Sequence, residues 1–158
     1  MLNEIQVKAA SASAQSILSQ WRQAIQDGND AFSIGNYAQA ITHYEQALAV
    51  STECFGVIED AENGVATYVI AHHNLADTYR SLENQAQQRL HLCLPHEKLY
   101  AAMNDRSLPE SWQLAAQNHS RRTYTELSLY LSQHPEDGDA RRIANLGAAG
   151  ATGSLSAH

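Results

Sequence analysis

A chain of 158 residues, 44% apolar and 17% charged, is long enough for one folded domain, and its three prolines exclude collagen-like and mucin-like repeats. Seventeen acids against ten bases give a formal charge of −7, and that excess is local. Between Arg22 and Arg80 there is no Lys or Arg, whereas Asp27, Asp30, Glu45, Glu53, Glu59, Asp60, Glu62 and Asp77 all fall there; the rest of the chain sets ten bases against nine acids. Such a surface repels phosphates, and only Arg121-Arg122 and Arg141-Arg142 cluster, so nucleic-acid binding is not expected. No stretch approaches the ~18 consecutive apolar residues of a bilayer-spanning helix, so membrane insertion is not expected either. The first twenty residues carry Glu4 and lack the apolar core of a secretory signal, which points to the cytoplasm. Cys54 and Cys93 are too few for a disulfide framework or a thiolate zinc site and read as reduced core residues.

Alternating runs of β-branched and aromatic residues are nearly absent, and Ala, Gln, Leu and Glu dominate, so the fold class is all-α. Punctuation at Gly35-Asn36, Asp60 to Gly64, Glu83-Asn84, Asn104 to Pro109 and His134-Pro135 separates five predicted helices. They cover 3–34, with Ser11-Ala12-Ser13 as the place for a break, then 37–55, 65–82, 85–103 with a kink at Pro95, and 109–133. Beyond Pro135 the sequence is Gly-rich with few large apolar groups, too little to offset the entropy of ordering, so 135–158 is expected to be a flexible tail. Residues 1–20 then form an N-terminal helix and 21–134 a helical domain.

One internal repeat stands out. The run from Gly28 to Leu48, GNDAFSIGNYAQAITHYEQAL, places small Gly28 and Ala40 where two helices would cross. In the same run Gly35 sits at a turn, and Tyr37, Tyr44, Ala47 and Leu48 can fill the seam. It resembles the tetratricopeptide repeat. A second copy begins at AHHNLADTY, residues 71–79, with Glu83 where the turn glycine is usual; Gly28 to the matching Ala76 is 48 residues, as in long-helix variants of the family. The resemblance implies an antiparallel helical-hairpin stack of about two repeats, flanked by the N-terminal helix and by a capping helix that starts near Trp112.

The resemblance further implies a concave groove lined by the first helix of each pair. It nominates Arg22, Ile25, Asn29, Phe32 and Ser33 on one helix, and His73, Asn74, Asp77, Arg80 and Ser81 on the other. His73, Asp77 and Arg80 recur at i, i+4 and i+7, so they share one helix face, away from Leu75, Tyr79 and Leu82. Some family members clamp a peptide's terminal carboxylate; Asn29 and Asn74 match the clamp asparagines, but Ile25 stands where its first lysine would be, so that mode is not expected. His72-His73 and the run from His91 to His96 suggest metal ligation, yet neighbouring side chains on a helix diverge and closed zinc sites take four ligands, so no metal or other cofactor is expected. There is no GxSxG, no phosphate loop and no HExxH, and glycines 147, 150 and 153 lack the strand and helix that give a nucleotide loop its purpose, so catalysis is not expected.

The resulting expectation is a non-catalytic adaptor or co-chaperone that binds a protein segment, with contacts from Asn29, Phe32, His73, Asn74, Asp77 and Arg80. If the acidic interval lines the groove, that segment should be basic. The alternatives are a secretion-type chaperone and a small enzyme or metal- or ligand-binding sensor.

Overall fold

The computed structural model describes residues 4–147. Among them are six helices and no strand: α1 (Glu4–Ser33), α2 (Tyr37–Cys54), α3 (Ala61–Ser81), α4 (Gln85–Met103), α5 (Glu110–Gln133) and α6 (Gly138–Ala144). Consecutive helices pair as antiparallel hairpins, α1–α2, α3–α4 and α5–α6, and the hairpins stack in chain order. The long first helix is unbroken through Ser11-Ala12-Ser13, and Pro95 lies buried inside a continuous α4. α3 starts four residues before the predicted position because the Asp60 side chain accepts the Asn63 N–H and caps it.

The first two hairpins turn in the same way, 48 residues apart. Gly35 has φ +76°; its N–H bonds the Phe32 carbonyl, and the Asn36 N–H reaches back to Ala31. Glu83 has φ +57°, with its N–H on Arg80 and the Asn84 N–H on Tyr79. Both are Schellman closures, in which a left-handed residue lets two N–H groups satisfy the last free carbonyls of the helix. Each asparagine then caps the next helix through its side chain, Asn36 to the Gln39 N–H and Asn84 to the Gln87 N–H. Glu83 thus does the work of the usual glycine at the cost of a strained φ.

Small residues set the helix crossings. A Cβ on Gly28 would come within 2.5 Å of the Tyr44 ring, so that ring packs directly on the α1 backbone. Ala31, Ala40, Tyr44 and Leu75 close the seam between the first hairpin and α3. A larger core joins Val65 and Val69 of α3, Leu99 of α4 and Trp112 and Ala116 of α5, with the Trp112 indole N–H donating to the Ile58 carbonyl at 3.1 Å.

The segment after Pro135 is not a flexible tail throughout. Residues 138–144 form α6, and its Ala140, Ile143 and Ala144 are buried against Ala76, Leu92, Leu127 and Tyr130. Small alanines let the short helix lie close to its neighbours, so one large residue suffices. Asp137 ties it down: its carboxylate accepts the Ala140 N–H and, at 2.7 Å, the Tyr130 hydroxyl, and it lies 3.6 Å from Arg89. α5 is therefore the first helix of a third, truncated hairpin rather than a terminal cap. Residues 148–158, the remainder of the expected tail, lie outside the described residues.

Candidate interaction groove

α1, α3 and α5 are the first helices of their hairpins and lie side by side. α3 packs closely on α5 and on α2 but touches α1 at few points, and the space between α1 and α3 is the candidate trough. The α3–α5 seam is held at one end by Glu62, which accepts from the Asn118 amide at 3.2 Å and pairs with His119 at 2.8 Å.

Of the sequence-nominated residues, Asn29 lies on α1 beside Tyr44, and Asn74 and Asp77 lie on α3. The buried Tyr44 hydroxyl donates to Asn29 Oδ1 at 2.7 Å, which leaves the Asn29 Nδ2 as a free donor. Burial, and next the charge of Asp77 on α3, raise the Tyr44 pKa. Asn74 is half-buried, and its side chain makes no hydrogen bond to another described residue. Phe32 is half-buried with its ring edge-on to Tyr37, 5.3 Å between centroids, and forms wall rather than free surface.

His73 departs from expectation. Asp77 and Arg80 are exposed, but His73 is only 6% exposed, with neither ring nitrogen hydrogen-bonded to a described residue. Burial, and next the Arg122 guanidinium, push its pKa down to about 4, so it is neutral and unavailable as a groove contact. Arg80 and Asp77 sit where α3 and α5 diverge. They line a cleft of about 60 Å³ with Gln88, Leu92, Glu126, Leu129, Tyr130 and Gln133. Desolvation raises the Asp77 pKa, opposed by Arg80 and then Arg122.

The middle-segment acids do not concentrate in the trough. Glu53, Glu59, Asp60 and Glu62 cluster at the α2–α3 junction, while Asp27 and Asp30 take hydrogen bonds from Gln23 and Gln26 on the exposed side of α1. Arg80 and Arg122 oppose the desolvation of Asp77 without forming an ion pair with it, and the other acids lie elsewhere, so the uneven charge of the sequence does not translate into an acidic groove.

Sequence reasoning missed the α5 side. Arg122, Glu126, Leu129 and Gln133 recur at i, i+4, i+7 and i+11, a stripe legible once α5 is read as the first helix of a hairpin. It also missed a set of buried imidazoles. His72 and His91 meet with their Nδ1 atoms 3.0 Å apart, which requires one ring to donate and the other to accept, and burial lowers both pKa values, to about 3 and about 4, so both rings are neutral at pH 7. The Tyr79 ring stacks on His91, Tyr68 meets His72 edge-on, and His96 Nδ1 lies 2.8 Å from the Thr123 hydroxyl. Adjacent His72 and His73 diverge, one toward α4 and one toward α5. No three potential ligands gather around one point among the described residues.

The chain matches one family model over residues 19–155, and it belongs to that family, described as a protein of unknown function (DUF2753). No curated protein and no solved structure matches it. None of the described helices is long and apolar enough to cross a membrane.

Proposed function

For this member of the family we propose a non-catalytic, tetratricopeptide-like adaptor or co-chaperone that acts in the cytoplasm and receives an extended segment of a partner protein in the trough between α1 and α3. The observation that supports the reading is the pair of unengaged amides on neighbouring first helices: Asn29 on α1, with its Oδ1 held by Tyr44 and its Nδ2 free, and half-buried Asn74 on α3, whose side chain makes no hydrogen bond to another described residue. Amide side chains at such positions can donate to and accept from a peptide backbone, which an extended chain presents along its whole length. The two Schellman turns at 48-residue spacing and the Gly28–Tyr44 packing support the kinship with tetratricopeptide repeats. With most of the middle-segment acids lying at the α2–α3 junction or on the exposed side of α1, shape and backbone hydrogen bonds carry the contact more than net charge.

Peptides of random sequence, displayed and selected against the full chain, test this. Selected binders should shift the NMR signals of the Asn29 and Asn74 side-chain amides, and Asn29→Ala with Asn74→Ala should weaken them about ten-fold or more, two hydrogen bonds of ~1 kcal/mol each. Binders that map to the outer faces of α2 and α4, and bind the double variant equally, would overturn the proposal.

A further inference from the structure

The cleft at the C-terminal ends of α3 and α5 is built for a side chain rather than for a backbone. Ala76, Leu92, Leu129 and the Tyr130 ring form its apolar walls, and the Tyr130 hydroxyl is already engaged with Gln85 and Asp137. Two carboxylates, Asp77 from α3 and Glu126 from α5, reach it from opposite sides, and neither forms an ion pair with another described residue. Arg80 also lines it, yet its guanidinium pairs with neither carboxylate. Gln88, only 8% exposed, lines the cleft from α4, and its side chain makes no hydrogen bond to another described residue. Its amide is not sealed from solvent, so it is open to a ligand in the cleft without first breaking a hydrogen bond within the protein.

From this arrangement we propose that the cleft is a recognition pocket for an arginine side chain. A guanidinium presents five N–H donors in a rigid plane, enough to meet Asp77, Glu126 and the Gln88 carbonyl oxygen together, whereas a lysine ammonium is a compact and more strongly hydrated charge. The arginine stem would lie along Leu92 and Leu129, covering part of a Leu129 side chain that is 58% exposed. The partly desolvated Asp77 carboxylate gains most from an incoming cation. Arg80 acts as the competitor: its charge lowers the attraction of the cleft, so only a guanidinium that also finds the Gln88 amide and the apolar walls binds there. The pocket deepens the proposed function, because it would hold an arginine of the segment lying in the neighbouring trough, but its ligand class follows from the cleft alone.

The test uses the full chain, isotope-labelled, titrated with N-acetyl-arginine methylamide, with the lysine and leucine counterparts as controls. The arginine compound should shift the Gln88 and Gln133 side-chain amides and the Leu92 and Leu129 methyls at millimolar concentrations, and lysine should do so more weakly. Asp77→Asn and Glu126→Gln should each weaken binding about three- to five-fold, and Arg80→Gln should strengthen it by a similar factor. Leucine shifting these signals as strongly as arginine, no shift at tens of millimolar, or indifference to all three variants would overturn the pocket. The displayed peptides separate the two readings. Trough binders without arginine enrichment would sink the pocket and keep the trough, whereas an arginine titration at the cleft with no trough-binding peptide would keep the pocket and sink the trough.

Discussion

Glu83 occupies a backbone conformation that costs an L-residue ~1–2 kcal/mol, and its turn survives because two Schellman hydrogen bonds and the Asn84 cap determine it from both sides. Glu83→Gly should therefore raise stability by about 0.5 kcal/mol, the relief of strain less the added entropy of the unfolded chain, read as a higher urea midpoint at unchanged slope. Gly35→Val should act in the other direction, by more than ~1 kcal/mol, since a β-branched residue resists φ +76°. The buried imidazoles give the molecule a pH dependence. Burial lowers the pKa of His73 and His91 to about 4 each, and burial followed by the neighbouring His91 and His73 lowers His72 further; the unfolded rings titrate near 6.5. The unfolded state thus binds protons first as pH falls, so the stability these rings contribute is complete above about 6.5 and is lost on descent toward 4, at ~1.4 kcal/mol per pH unit for each ring. His73→Leu should flatten that descent in denaturation midpoints measured from pH 7 to 4.5. A profile identical to wild type would mean that the His73 ring is solvated.

At the scale of the element, α6 is the instructive case. Its seven residues hold one large apolar side chain, yet Ile143 is 4% exposed and shares a core with Leu127 and Tyr130. Ile143→Ala should cost about 2–4 kcal/mol, and removal of residues 136–158 should lower the thermal midpoint markedly. A truncated chain as stable as the whole would show that α6 adds nothing to the stack. Most helices were legible in the sequence because their signals are local: the caps at Asn36 and Asn84, the turn at Gly35, and the breaks at Pro109 and Pro135. α6 was not, because Ala140 and Ala144 carry burial through close approach rather than bulk, and only the surfaces they meet, Ala76 and Leu92 on other helices, reveal it. His73 was misjudged for the same reason: helical spacing fixes which residues share a face, but not how deeply packing buries each of them.

For the whole molecule, three hairpins bury separate apolar clusters between them, and α3 packs closely on α5 while touching α1 at few points, which is where the proposed trough lies. Asn29, Asn74 and Asp77 were nominated through resemblance to a repeat family, whereas the cleft around Gln88 and Glu126 needs three helices in place before it exists. The account rests on that trough receiving a partner segment. Photo-crosslinking in cells that make the protein tests it most directly, with a benzophenone amino acid at Ser33 and Ser81 on the trough side and, separately, at Gln46 and Glu97 on the exposed faces of α2 and α4. The account predicts that Ser33 and Ser81 label the same partner and that Asn29→Ala with Asn74→Ala abolishes both adducts. Adducts that form only from Gln46 or Glu97, or that survive the double substitution undiminished, would contradict it.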